Sequence, residues 1–336
     1  MADYEEDALM KTLNSPVCIA LAGLGDVAFQ HQRAIGLCRD ARLVGAWTRN
    51  KEKLAKLTTE WQIKTYADYD ALLADEAVQV VDITAADEVH HEFALCALAA
   101  GKHVIVEKPP AKTSDQVRQM QAAAEKEGLL CVPMHNYLYR PRMIQAKRLV
   151  EEDRLGIVTF GFFSEVMRMP EEWATHYHGV LVTAMYHLIY AALFFLGKPD
   201  RVFAQQSSLH YAHCKDDDLT TVHLHYPNGA MAALLGNWTA DDLTANSWFS
   251  MYKLLGTKGG VNISGQDALV YQPSGWGRLQ WPDYEDTFLH AMDYIVRKCL
   301  LQGEPPLSGL EEAATTLKII ELAQKSAATN AALAVE

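Results

Sequence analysis

Between Pro16 and Pro133, short apolar runs alternate with stretches whose apolar residues recur at helical spacing. Val17–Leu21, Leu43–Trp47, Val78–Ile83, Val104–Val106 and Leu129–Val132 are too short for helices and read as strands. Helices are expected at Asp26–Leu37, Lys51–Glu60, Glu88–Ala100 and Ser114–Glu127. Gly101 suits the left-handed cap of the third, with Lys102 near its negative pole. Such alternation predicts a parallel sheet with helices on both faces.

After Tyr137 the texture changes. Two helices are expected at Met143–Glu152 and Val180–Leu196. Six strand-like segments cover Ile157–Met167, Arg201–Leu209, Thr220–His225, Ala230–Asn237, Ser247–Leu255 and Gly260–Ile263. Turns such as Pro227-Asn-Gly229 favour antiparallel neighbours. Helices Thr287–Leu301 and Leu310–Ala328 follow. The expectation is an α/β protein with an extension over 1–15 and a doubly wound parallel sheet over 16–136. An α+β domain over 137–336 then carries a large, mostly antiparallel sheet open on one face.

The 336 residues, 49% apolar, exceed what one core commonly holds, which supports two domains. A net charge of −12, with 30 basic against 42 acidic side chains, argues against a nucleic-acid surface. Met1–Ser15 is acidic and lacks the basic start and apolar core of a signal peptide, so cytoplasmic residence is expected. The most apolar helical stretch, Ala184–Leu196, contains His187 and stops at Gly197; it reads as a buried helix, and no membrane association is expected. The six cysteines, Cys18, Cys38, Cys96, Cys131, Cys214 and Cys299, show no Cys-x-x-Cys spacing and read as reduced thiols.

Chemistry enters at Gly23-Leu-Gly25, which follows the first strand and opens the first helix. Gly23 permits a tight turn, Gly25 a close backbone approach to a pyrophosphate, and Ala28 takes the third, packing position. Strand, turn and helix in this register form the dinucleotide-binding Rossmann arrangement, with Asp26 and Val27 inside the turn. The second strand ends in Trp47-Thr-Arg-Asn50. Thr48 and Arg49, without a carboxylate, favour the 2′-phosphate of NADP(H); NAD(H) is accommodated if Arg49 instead stacks on adenine.

Four segments together resemble the glucose-fructose oxidoreductase / inositol dehydrogenase family (Gfo/Idh/MocA). They are Gly23-Leu-Gly-Asp-Val-Ala28 with His31, Asp82-Ile-Thr-Ala-Ala-Asp-Glu-Val-His90, Ala99-Ala-Gly-Lys-His-Val-Ile-Val-Glu-Lys-Pro109, and His135-Asn-Tyr-Leu-Tyr-Arg-Pro141. The resemblance implies an oxidoreductase acting on sugars, cyclitols or related polyols. It implies cofactor contacts from Ala85, Asp87, His90, Glu107, Lys108 and Asn136, and substrate contacts from Tyr139 and Arg140. It also implies a cis Lys108–Pro109 bond that turns the ammonium towards the reacting carbon. Hydride leaves a carbinol carbon only as its hydroxyl loses a proton, so a cation at the oxygen and a nearby base are required. Lys108 is the leading catalytic candidate.

The chain departs from the family pattern on one helix. The expected Asp and His four residues apart on a helix are here Thr183 and His187, with Met185 between them where a glycine is common. A threonine cannot carry charge at neutral pH and can only hydrogen-bond a substrate hydroxyl. Proton transfer then falls to His187 or Lys108, with His176, His178 and Tyr186 as neighbours able to assist. Trp173, Tyr177, Trp238 and Trp281 are aromatic candidates for a sugar face. The pairs His176-x-His178 and His223-x-His225 lack companion ligands, so no metal is expected, and Asp216-Asp-Asp218 reads as a solvated turn.

The leading function is therefore an NAD(P)-dependent oxidoreductase acting on a CH–OH carbon of a sugar, cyclitol, glycoside or related cyclic polyol. Two alternatives are a non-catalytic dinucleotide-sensing regulator and an enzyme that cleaves glycosides by transient redox at a bound cofactor. The partner is a small molecule. The open sheet of the second domain predicts a homodimer or homotetramer.

Overall fold

The computed structural model describes residues 10–211, 216–240, 248–263 and 284–336. Residues 1–9 of the expected extension, Cys214 and Trp281 lie outside them. The chain forms two compact units, one of residues 1–140 with 285–314 and the other of residues 141–284 with 315–336.

The first unit runs β1 (Val17–Ala22), α1 (Ala28–Leu37), β2 (Ala41–Trp47), α2 (Lys51–Trp61), β3 (Lys64–Thr65), α3 (Tyr69–Leu73), β4 (Val80–Ile83), α4 (His90–Ala99), β5 (His103–Val106), α5 (Ser114–Glu127) and β6 (Cys131–Pro133). Six parallel strands form one sheet in the order β3-β2-β1-β4-β5-β6. The central strands β1, β4 and β5 are buried almost throughout, which is why they read as continuous apolar runs. The exceptions are Asp82, a fully buried carboxylate on β4, and buried His103 at the start of β5.

Local signals set the helix ends. Thr113 accepts the Gln116 amide at the start of α5, and Gly128, at φ +63°, ends it. Asn50 and Asp68 cap α2 and α3 in the same way. Gly101 has the expected positive φ of 75° after α4. Lys102, however, turns from that helix end and donates to the carbonyls of Asp75 and Val78 at 2.9 and 2.7 Å. Two carbonyls in the turn before β4, one of them buried, make a better partner for its ammonium than a solvated helix terminus.

The second unit contains α6 (Pro141–Glu151), β7 (Val158–Met167), α7 (Glu171–His176), α8 (Gly179–Thr183) and α9 (Met185–Leu196). There follow β8 (Arg201–Ser207), β9 (Leu219–His225), β10 (Met231–Asn237), β11 (Trp248–Gly256) and β12 (Gly260–Ile263). Helix α10 (Tyr284–Tyr294), which continues as one π-helical stretch, Ile295–Leu300, belongs almost wholly to the first unit, and most of α11 (Leu310–Thr329) and β13 (Leu333–Ala334) to the second. The seven-stranded sheet has the order β12-β11-β7-β10-β9-β8-β13. It is antiparallel except for the β7–β10 pair.

Helix α9 is apolar on nearly every side and buried, and among the described residues no helix is long and apolar enough to cross a membrane. Along β10, buried and more accessible positions alternate, so one face of the sheet is packed and the other is not. On the less covered face Met231, Phe160 and Leu255 sit side by side on β10, β7 and β11, with Met231 51% and Leu255 43% exposed.

Two expectations need correction. The single helix over Val180–Leu196 is divided at Ala184, where the His187 amide reaches back only three residues to the Ala184 carbonyl. The Asp216–Asp218 turn is not solvated along its length. Asp218 is buried and accepts the successive amides of Leu209, His210 and Tyr211, and Asp217 accepts the Leu181 amide at 3.0 Å and bonds the Thr220 hydroxyl. Backbone amide donors recruit both carboxylates inward.

Candidate functional site

The glycine turn is shaped by the strand beside it. Gly23 has φ +89°, and a Cβ there would lie 2.4 Å from Ala85 Cα; one on Gly25 would lie 2.6 Å from the Thr84 carbonyl oxygen. The Gly25 amide donates to that same carbonyl, and the Thr84 hydroxyl donates to the Gly23 carbonyl, each at 2.8 Å. Both glycines are thus required by the protein's own backbone. Val27, at the N-cap of α1, offers no capping side chain. A pyrophosphate suits this turn, because no side chain caps the start of α1.

Beyond β2, Thr48 is half-buried and accepts the Asn50 amide, while Arg49 is exposed. Asp87 pairs with Lys112 at 2.8 Å. His90 is buried, with Nδ1 2.8 Å from the Pro109 carbonyl and Nε2 3.0 Å from the Ala85 carbonyl. It links the loop behind the glycine turn to the loop that carries Lys108.

That loop follows β5. Lys108 is half-buried, and its bond to Pro109 is cis. Glu107 is buried; its Oε2 accepts the Lys108 backbone amide at 3.0 Å, and its Oε1 lies 2.9 Å from His31 Nε2. The other ring nitrogen of His31 is 2.8 Å from Asp82 Oδ2. Burial alone would lower the His31 pKa, but the charges and hydrogen bonds of Asp82 and Glu107 outweigh it and raise the pKa to about 10. Burial raises the Asp82 pKa, whereas His31 and Lys108 overcome burial at Glu107 and lower its pKa. His31 and Asp82 stood in the quoted motifs, yet no spacing rule points to their meeting, 51 residues apart.

The segment after β6 forms a short 3₁₀ turn, Asn136–Tyr139. Asn136 is buried and donates to the Thr287 hydroxyl at 2.7 Å, and buried His135 is 2.6 Å from the Ser308 hydroxyl. Tyr139 is buried against Tyr294 with ring centroids 5.3 Å apart, and its hydroxyl pKa is raised by burial. Arg140 donates to the Tyr137 carbonyl and lies over that residue's ring. Thr287 and Ser308 escaped sequence reasoning because neither belongs to a motif.

In the second unit Thr183 ends α8, half-buried, and His187 lies in the first turn of α9. Their four-residue spacing therefore spans a helix junction. His187 is 5% exposed and shares a 2.7 Å hydrogen bond between Nδ1 and the Tyr190 hydroxyl. Tyr186 is fully buried and meets Tyr190 edge-on, while His176 and His178 are exposed. Met185 packs against Gly236, where a Cβ would lie 2.5 Å from Met185 Cγ. Trp173 is 40% exposed beside Tyr177, and Trp238 is buried in a cluster with Met167, Met169 and Tyr211.

A doubly wound parallel sheet with this glycine turn, followed by a mixed sheet, defines the class as NAD(P)-dependent oxidoreductases. The chain belongs to the Gfo/Idh/MocA family: residues 17–135 match the oxidoreductase family's NAD-binding Rossmann fold, and residues 143–262 match the GFO/IDH/MocA C-terminal domain. It is 24% identical over 306 residues to D-xylose 1-dehydrogenase (NADP(+)) 2 of Haloferax volcanii, covering 86% of this chain and 90% of that protein. It is 26% identical over 303 residues to the trans-1,2-dihydrobenzene-1,2-diol dehydrogenase of Mus musculus, covering 85% and 88%. Among solved structures, levoglucosan dehydrogenase in complex with NADH and levoglucosan shares the fold at a TM-score of 0.81. That match has 20% identity and covers 95% of this chain and 99% of that one.

Proposed function

We propose that this protein transfers a hydride between NADP(H) and a CH–OH or carbonyl carbon of a sugar, cyclitol, glycoside or related cyclic polyol. The observation that carries the reading is the Glu107 carboxylate on the Lys108 amide, which fixes the base of a lysine on the loop after β5. Its ammonium supplies positive charge to an oxygen that becomes alkoxide-like as hydride departs. His187, backed by Tyr190, assists proton transfer, and Thr183 bonds a substrate hydroxyl. The nicotinamide supplies the hydride acceptor or donor. Gly23, Gly25, Asp26, Val27 and Ala28 hold its phosphates, with Thr48 and Arg49 at the adenosine ribose. Ala85, Asp87, His90, Glu107, Lys108 and Asn136 complete the cofactor side. Tyr139, Arg140, His178 and Tyr186 serve the substrate, directly or through their neighbours.

Thr48 and Arg49 support NADP(H) over NAD(H) on charge, in keeping with the cofactor named for the Haloferax volcanii relative. The relatives' substrates, a pentose and a cyclic diol, support a cyclic polyol here. A second reading, a dinucleotide-sensing regulator, is favoured by Thr183 alone. The row Met231–Phe160–Leu255 further supports a homodimer or homotetramer built through that sheet face.

The test is the absorbance of reduced nicotinamide while the purified protein is offered NADP, NAD and their reduced forms against sugars, cyclitols, glycosides and cyclic ketones. Substrate-dependent change with NADP(H) is the expected result. Tight cofactor binding with no change across the panel favours the regulator.

A further inference from the structure

We propose that His31 is a positioning residue for Lys108. Clamped between Asp82 and Glu107, it holds the Glu107 carboxylate in the orientation that receives the Lys108 amide, and so ties α1, which follows the glycine turn, to the lysine loop. The functional meaning rests on the reading of Lys108 above; the coupling itself does not.

The geometry leaves little freedom. Both ring nitrogens of His31 face carboxylates, Nδ1 with Asp82 oxygens at 2.8 and 3.0 Å and Nε2 with Glu107 Oε1 at 2.9 Å. A carboxylate only accepts, so with both acids ionised each nitrogen must carry a proton, and the ring is an imidazolium. The His31 and Asp82 side chains are wholly excluded from water and that of Glu107 is nearly so, which leaves no solvent to replace a lost partner. The Phe288 ring, 5.2 Å away, covers the imidazole and offers no charge. One imidazolium between two carboxylates leaves one negative charge, and the Lys108 amide takes the remaining Glu107 oxygen.

Removing the imidazolium places two buried like charges with nothing between them. One carboxyl must then take a proton or turn towards another donor. Whichever carboxyl does so, Glu107 loses the Nε2 donor that held its Oε1, and with it the orientation that receives the Lys108 amide. The raised His31 pKa agrees with this charge assignment.

The test uses the full chain without substrate, by NMR of isotope-labelled wild-type, His31→Gln and Glu107→Gln proteins. In the wild type both ring nitrogens of His31 are expected to be protonated at neutral pH. In each variant the Lys108 amide should exchange with solvent at least about tenfold faster, while Val104 and Ile105 on β5 keep their protection. In His31→Gln, NADPH affinity by fluorescence should change less than about threefold, since α1 and the turn remain. A neutral His31 ring in the wild type overturns the proposal, and that measurement needs no variant to fold. Unchanged Lys108 exchange also overturns it, as does loss of protection throughout β5, which marks a role in folding only. Intact coupling in a protein that transfers no hydride would refute the catalytic reading alone.

Discussion

His187 and Tyr190, one helical turn apart on α9, share a 2.7 Å hydrogen bond through Nδ1 while both side chains are buried. The bond fixes the ring, and in the proposed function it orients the imidazole for proton exchange with a substrate. Tyr190→Phe keeps the ring volume and deletes only the hydroxyl. Steady-state kinetics should show kcat reduced about tenfold with KM for the cofactor unchanged. An unchanged kcat would remove Tyr190 from the proposal.

Lys108 and Thr183 are expected to differ in weight. Lys108→Ala removes the charge that stabilises a developing alkoxide and should reduce kcat on the order of a hundredfold or more, with NADPH still binding. Thr183→Ala removes one neutral hydrogen bond and should cost about tenfold or less, chiefly in KM for the substrate. Equal losses in kcat would give Thr183 a larger part in the chemistry.

Much of this arrangement is legible along the chain, and the exceptions share a cause. The bounds of α5 coincide with expectation because Thr113 and Gly128 are local signals acting within one turn. The two-residue strand β3 and five-residue helix α3 carry too few residues to show a period. The division of α8 from α9 falls at Ala184, a good helix former with no glycine or proline to mark it. The meeting of His31, Asp82 and Glu107 joins α1, β4 and the end of β5. It depends on strand order, and the separation of 76 residues between His31 and Glu107 gives no pattern to read. The inward turn of Asp217 and Asp218 likewise depends on amides contributed from 7 to 36 residues earlier in the chain, outside any helical or strand period.

In the proposed function, cofactor preference turns on Arg49, exposed after β2. Arg49→Glu replaces a cation suited to a 2′-phosphate with an anion that repels it. NADPH affinity, followed by fluorescence, should fall about tenfold to a hundredfold while NADH affinity holds or improves. Equal affinities in both forms would indicate that Arg49 stacks on adenine instead.

The outer face of the second sheet offers a test of association. Met231→Asp places a charge in the row formed with Phe160 and Leu255. Light scattering should report a dimer or tetramer for the wild type and a shift to monomer for the variant, because an ion buried in an apolar interface lacks a partner. A wild-type monomer at micromolar concentration would refute the proposed assembly.

Stability should depend on pH through buried histidines of opposite character. His135 and His103 are buried; desolvation lowers their pKa values from 6.5 to about 3 and about 4. The unfolded chain binds these protons more tightly, so stability present above 6.5 is lost as pH falls towards those values. His31 acts in reverse. With its folded pKa raised to about 10, its contribution is complete below 6.5 and is lost as pH rises towards 10. Thermal unfolding across pH should therefore give a maximum near 6.5 with losses on both sides. His31→Gln should flatten the alkaline limb and leave the acid limb in place, and His135→Asn should flatten the acid limb. An alkaline limb that persists in His31→Gln would mean that the His31 ring is not charged in the folded protein.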